Sequence, residues 1–447
     1  MEQKVDYIKH YRNEFSLLEQ RQPKGTTPEF RQFKRTAMEF FLTKGFPSTK
    51  DEEWRFTNTQ ALTRTNFALP TDSVAAVNFE KTIERYAIPV QGARRVLFIN
   101  GQYIPHRSDG LTGDGSVTIR TMKQAIQENH PILHQYLAEG TNRPANVMTA
   151  LNTGLFNDGI LLHVPDNIVV ADPYYFIFLT QTDGINYAIY PRNLIVTGKN
   201  SKITIIEHYL SDAHSAHFTN AVTELYIDSH STVEHIKLQL ESSEAFHVSS
   251  LIAHQKTGSN LTQHSTMIGG AFARNEISAV LADEEIECTL NGLSLAAGKQ
   301  LIDNHTTIDH VKPHCTSHEL YKAILDGSSK GVFNGKIYVR KNAQKTDAKQ
   351  TNKTLLLSDN ATMNTKPQLE IFADDVKCTH GATIGYLDAE AIFYLRSRGI
   401  SEEIARDLLT YAFANDIISK IPIGSIREYL NHLVYTRLKQ GRELENI

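Results

Sequence analysis

Apolar and polar residues change rhythm three times along this chain. From Phe30 to Lys44 the run FRQFKRTAMEFFLTK sets apolar residues three and four apart, the spacing of a helix with one buried face. Thr27, Pro28 and Glu29 supply an N-cap, a proline suited to the first helical position and an acid for the helix dipole. Gly45 and Pro47 end the helix. The pattern loosens between about Ala87 and Ile119, where RRVLFINGQYIP predicts a small hairpin. Helical character returns in MKQAIQENHPILHQYLAEG and again in ANVMTALNTGLF.

After about Asn157 the pattern is one of short β-rich runs: GILLHVP, YYFIFLTQ, NLIVTG, KITIIEHYL, AVTELYID and TVEHIKLQL. Turn clusters separate such runs at Asp228–Ser231, Thr257–Asn260, Asp326–Ser329 and Ser358–Ala361, several of them about thirty residues apart, a spacing typical of solenoids. Between about Asn193 and Asp388 no segment is helical over the length a βαβ crossover needs. Stacked coils of a parallel β-helix would bury these apolar faces against one another; a β-sandwich has similar strand density, so periodicity alone leaves both open. The last part is helical again. DAEAIFYLRSRG carries Arg396 and Arg398 in its last turn and Gly399 as its cap, and Ser401, Glu402 and Glu403 open a helix whose apolar face is expected to hold Ile404, Leu408, Tyr411 and Ala412. The amphipathic REYLNHLVYTRLKQGRE follows. The expected organisation is a mostly helical region over 1–156, a β core over 157–387 and a helical region over 388–447.

With 447 residues, 40% hydrophobic and 21% charged, the chain has the composition of a globular protein with a sizeable core. A net charge of −4 without a basic run speaks against nucleic acid as partner. No apolar stretch approaches a membrane span and MEQKVDYIKHY is no signal peptide, so a cytoplasmic location is expected. Cys288, Cys315 and Cys378 are odd in number and form no C-x-x-C, which fits a reducing compartment rather than a disulfide framework. Trp54, the single tryptophan, is expected to be a packing anchor.

Candidate chemistry concentrates in LEIFADDVKCTHGATIGYLDAEAIFYLRSRG, Leu369 to Gly399. On a strand, Cys378 and His380 project from one side, a thiol beside an imidazole, which is a soft but incomplete ligand set. On the residues alone, Cys378 as a small plug inside a coil with His380 at its end is at least as good a reading. A second cluster holds His305, His310, His314, Cys315 and His318. Its spacing matches no zinc or EF-hand template, and polar residues stacked on successive coils explain it better in a chain with 19 histidines. GSSKGVFNGK lacks the P-loop pattern and its strand–loop–helix setting, so no nucleotide site is expected. Lys341, Lys345 and Lys349 look like a solvated edge.

The same stretch resembles the SufB/SufD family of iron–sulfur cluster assembly proteins, and its SufD branch more closely than its SufB branch. The resemblance rests on TKPQLEIFADDVKCTHGATIG, IFYLRSRGI, VFNGKIYVRKNAQKTDAKQTNKTLLL, HTTIDHVKPHCTSHELYKAIL and the N-terminal TKDEEWRFTN. It implies a right-handed parallel β-helix flanked by helical ends, and a non-enzymatic scaffold subunit working with a SufB-like paralogue and a SufC-like ABC-type ATPase. It further implies that His380, and less clearly Cys378, take part in building a nascent iron–sulfur cluster shared transiently with SufB. Helices from about Asp388 to Arg427 would dock the ATPase. Exposed strand edges near Thr365 to Gly385 would meet SufB, or a second copy when the chain is alone. The rival from another class is a β-helix enzyme that processes polysaccharide, which the lack of an export signal disfavours.

Overall fold

The computed structural model describes residues 7–21, 25–70, 79–111, 115–137, 146–182, 184–212 and 216–445, with side chains as far as 437. The described strands form two ten-stranded sheets; from Arg192 onward consecutive strands alternate between them, and each pairs in parallel with the strand two places on in the chain. This is a flattened parallel β-helix of about eight turns with helices at both ends. In the first sheet the register runs from Thr232 to Asn260, Glu287, Thr316, Asp347 and Lys377, so each coil takes about thirty residues, the period seen in the turn clusters.

One corner recurs in every coil for a steric reason. Asn167, Asn200, His230, Glu285, His314 and Lys345 all have positive φ, and Gly258 takes the same place in its coil. The backbone N–H of Asn200, His230, Gly258 and His314 each donates to the next coil (2.9–3.0 Å), so the turns stack as the strands do. Asn167, Asn200 and Gly258 adopt this left-handed conformation more readily than most residues do.

Inside the coil, Val233, Leu261, Cys288, Leu290, Ile277 and Ile308 form one core. Tyr103, Leu111, Val117 and Ile119 pack onto this core around Val96 and Phe98, the inward residues of the Arg94–Ile99 strand where the first sheet begins. The predicted hairpin is present: Arg94–Ile99 pairs antiparallel with Gln102–Tyr103, and the same strand pairs in parallel with Tyr174–Thr180. The Pro28–Lys44 helix carries the expected caps, Thr27 accepting from the Phe30 N–H and Gly45 closing it at φ 70. With Val147–Leu155 it covers the outer face of the second sheet through Met38, Phe41, Met148 and Leu151. The helical run expected from Met122 is broken: a helix ends at Gln127, Asn129 turns at φ 51, and Leu133–Leu137 resumes as a π-turn. Its last residues, Ala138 to Gly140, lie outside the described residues.

The C-terminal helices are Ala389–Ser397, Glu402–Ile418 and Gly424–Glu445. Asp388 caps the first, and Ser401 caps the second as expected. The packed face of Glu402–Ile418 is not the expected one. Ala405, Thr410, Ala414, Ile417 and Ile418 are buried, and Ile417 and Ile418 meet Leu293, Leu295, Ile324 and Leu355 on the outer face of the first sheet. Ile404 and Leu408 point outward, 53% and 45% exposed. The helix is apolar on two sides, and the sheet takes the side richer in Ala and Ile because small residues allow close approach. Ile426, Leu430 and Val434 of the third helix extend this cover, so the second and third helices pack on the solenoid wall.

Candidate functional site

Every inward side chain of an inner coil is buried by the coils on either side of it. The last coil, Thr362–Ile371 and Lys377–Gly385, has a neighbour on one side only, and none of its strand residues is fully buried. Register shows which residues it presents. Cys378 lies opposite Ala348 and His380 opposite Gln350, both of which face the interior at 0% and 1% exposure. Cys378 and His380 therefore point along the lumen at its open end, with Ala382 and Ile384 beyond them.

Cys378 is half-buried beside Leu369 and Val376, on the small cluster of Ile337, Val339, Ala343, Ala348 and Ala373. Burial pushes its thiol pKa up, and Asp347 nearby adds to this. A metal or sulfur species would have to displace that proton. His380 is exposed, and among the described residues its ring makes no hydrogen bond or ion pair. Gly381 and Gly385 beside it have nothing packed above their Cα atoms. Among the described residues no group of three or more His, Cys, Asp or Glu side chains is arranged to hold a metal ion. The pair is a partial ligand set on an open surface, which a second surface would have to complete.

The His305–His318 run is taken apart by the fold. His305 lies on the outer face of the second sheet, paired with Asp303 at 3.0 Å and Glu53 at 3.4 Å. His310 faces inward and bonds Ser317 Oγ at 2.9 Å. His314 is the corner residue of its coil, Cys315 is buried with its thiol donating to the Asp283 carbonyl (3.1 Å), and His318 is exposed on the first sheet. GSSKGVFNGK is a turn followed by the Lys330–Val339 strand. Lys345 and Lys349 sit at the edge with Asp375 and Asp347 as partners.

A second polar centre had only an indirect signal in the acidic pair of TKDEEWRFTN. This segment crosses the outer face of the second sheet. Trp54 is buried, with the Arg274 guanidinium 3.8 Å from its ring centroid. Arg274 binds Glu276 at 2.6 Å and also Asp303, and Thr57 Oγ1 donates to Asp303 at 2.6 Å. Glu53 accepts from Asn334 at 3.0 Å, and Lys366 binds Glu52 at 2.8 Å. The hydrogen bond from His305 holds the Glu53 carboxyl down at about 2. Burial alone would raise Asp303, yet Arg274 and His305 keep it well below the usual carboxylate range. A cleft of about 270 Å³ lies alongside, lined in part by Glu53, Phe56, His305 and Lys366.

Beyond the last coil, Tyr386, Phe393 and Tyr394 are 57–73% exposed, and the Ala389–Ser397 helix buries no residue. Ile404 and Leu408 on the following helix are exposed as well. No helix among the described residues is long and apolar enough to cross a membrane.

Comparison with known proteins accounts for both ends of the chain. Residues 178–413 match the model of the SUF system FeS cluster assembly SufBD core domain, and residues 1–174 match the SufBD protein N-terminal region. An iron–sulfur cluster assembly SufBD family protein of Synechocystis sp. is 33% identical over 403 residues, 88% of this chain and 87% of that one. The iron–sulfur cluster assembly protein SufD of Escherichia coli is 31% identical over 407 residues, 90% and 91% of the two chains. SufD of Bacillus subtilis is 24% identical over 401 residues, 88% of this chain and 89% of that one. A β-solenoid whose open end carries Cys378 and His380, matched by these models along its length, belongs to the SufBD family of iron–sulfur cluster assembly proteins.

Proposed function

We propose that this chain is a SufD-like, non-catalytic subunit of a cytoplasmic cluster assembly scaffold. The observation that carries the reading is the open coil end: inward residues Cys378, His380, Ala382 and Ile384 stand uncovered on unpaired strand edges. Such edges pair readily with another chain. A SufB-like paralogue seated there completes the partial ligand set, and a nascent iron–sulfur cluster is assembled between the two chains as cargo, not as a resident cofactor. His380 is the principal ligand or proton acceptor on this side, with Cys378 secondary. Without that paralogue, the same edges support pairing with a second copy.

The exposed Tyr386, Phe393, Tyr394, Ile404 and Leu408 are the proposed dock for a SufC-like ABC-type ATPase, which supplies the energy. The glycan-processing alternative has no observation in its favour. The deciding experiment purifies the complex of this chain with its paralogue and ATPase, carrying His380→Ala, and measures iron and acid-labile sulfide at equal complex recovery. Reduced cluster content with intact assembly is expected. Equal content in variant and wild type would sink the role of His380.

A further inference from the structure

The lumen-facing column that ends at His380 continues inward as polar residues. In the register of the first sheet, Glu319 lies opposite Gln350, and Gln350 lies opposite His380. Side chains on one face of neighbouring parallel strands stack about 4.8 Å apart. Gln350 is 1% exposed and its Nε2 donates to Glu319 Oε2. That bond turns Oε1 of the same amide away from Glu319, and among the described residues this oxygen has no hydrogen-bond partner. Buried carbonyl oxygens are nearly always paired in folded proteins. The second sheet makes room for the amide: a Cβ on Gly335 would overlap the Gln350 side chain. An unpaired acceptor is thus held in a fitted slot one coil beneath an imidazole that has no hydrogen-bond partner among the described residues.

We infer that Gln350 is the positioning residue for His380: the exposed ring turns to give its N–H to Oε1, a bond the two side chains do not make in this structure. An amide oxygen can only accept, so the ring nitrogen that faces it carries the proton. The other nitrogen is left with its lone pair directed out of the open end. Histidines that bind metals are commonly oriented this way, with the remote N–H given to a carbonyl or carboxylate. Glu319 and Gly335 hold the amide so that it does not turn over. The inference rests on the reading of His380 given above, but the contact itself can be read without any cluster.

The test uses the full-length chain labelled with 15N-histidine, with His380→Ala identifying the resonances of that ring. In wild type, one neutral tautomer of His380 is expected. Gln350→Met, of similar length but without an acceptor, should release the ring to a mixture of tautomers, and Gln350→Glu should restore a single one. In the assembled complex, Gln350→Met should slow cluster formation about tenfold, as loss of an orienting partner does elsewhere, and Gln350→Glu should recover most of it. A tautomer mixture already present in wild type, which needs no variant, would overturn the inference. So would an unchanged His380 spectrum in folded Gln350→Met, the result expected if a water satisfies Oε1. Failure of the functional reading would show separately, as unchanged cluster content in His380→Ala.

Discussion

Glu319 offers the sharpest test of how the interior of this solenoid is built. Its carboxyl is buried between coils, and burial raises its pKa to about 7 from 4.5, against the lowering effect of the hydrogen bond from Gln350. The folded chain therefore keeps this proton over a range in which the unfolded chain releases it. The resulting stability is fully present below about pH 4.5 and is lost as pH rises through about 7. Each pH unit between the unfolded and folded pKa values is worth about 1.36 kcal/mol, so the loss is about 1 kcal/mol at pH 5 and about 3 kcal/mol by pH 8. Glu319→Gln keeps the shape and a hydrogen bond to Gln350 but cannot ionise. Its stability relative to wild type should rise by roughly 2 kcal/mol between pH 5 and pH 8. Urea denaturation of both proteins across that range measures the difference, in which the titrations common to both proteins cancel. Parallel pH profiles would refute the reasoning, since they would mean the carboxyl titrates alike in the folded and unfolded chains.

Replacing Ile404 and Leu408 together by serine should change stability by no more than about 0.5 kcal/mol, because both are exposed. The same double variant should lose co-purification with the ATPase, and normal recovery would count against the docking face. Trp54→Ala should cost about 3–5 kcal/mol, the range for removing a buried indole, and should leave Arg274 without its ring. Urea denaturation together with proteolysis at the Glu52–Thr57 segment would show the cost and where it falls.

Much of this protein was legible in local sequence because local physics decides it. Thr27 and Ser401 cap helices by bonding backbone N–H groups three residues away, so their spacing alone predicted those helix starts. The turn clusters gave the coil period, and the two-residue period of a strand put Cys378 and His380 on one side. What lies beyond a few residues was settled by stacking. His305, His310, His314, Cys315 and His318 are close in sequence, yet a coil bends between them and sends them to an outer face, the interior, a corner and the opposite sheet. Glu319, Gln350 and His380 are far apart in sequence and form one ladder, because a residue's neighbours in a solenoid lie about thirty positions away. Trp54 met Arg274, and Glu53 met Asn334, through tertiary packing that no local pattern encodes. Ile404 and Leu408 had the right spacing for a buried face, but the helix has two apolar sides and only the shape of the sheet could choose between them. The exposure of His380 likewise has a tertiary cause: its strand patterns like those before it, and it stands open because the described residues after it turn into helices instead of another coil.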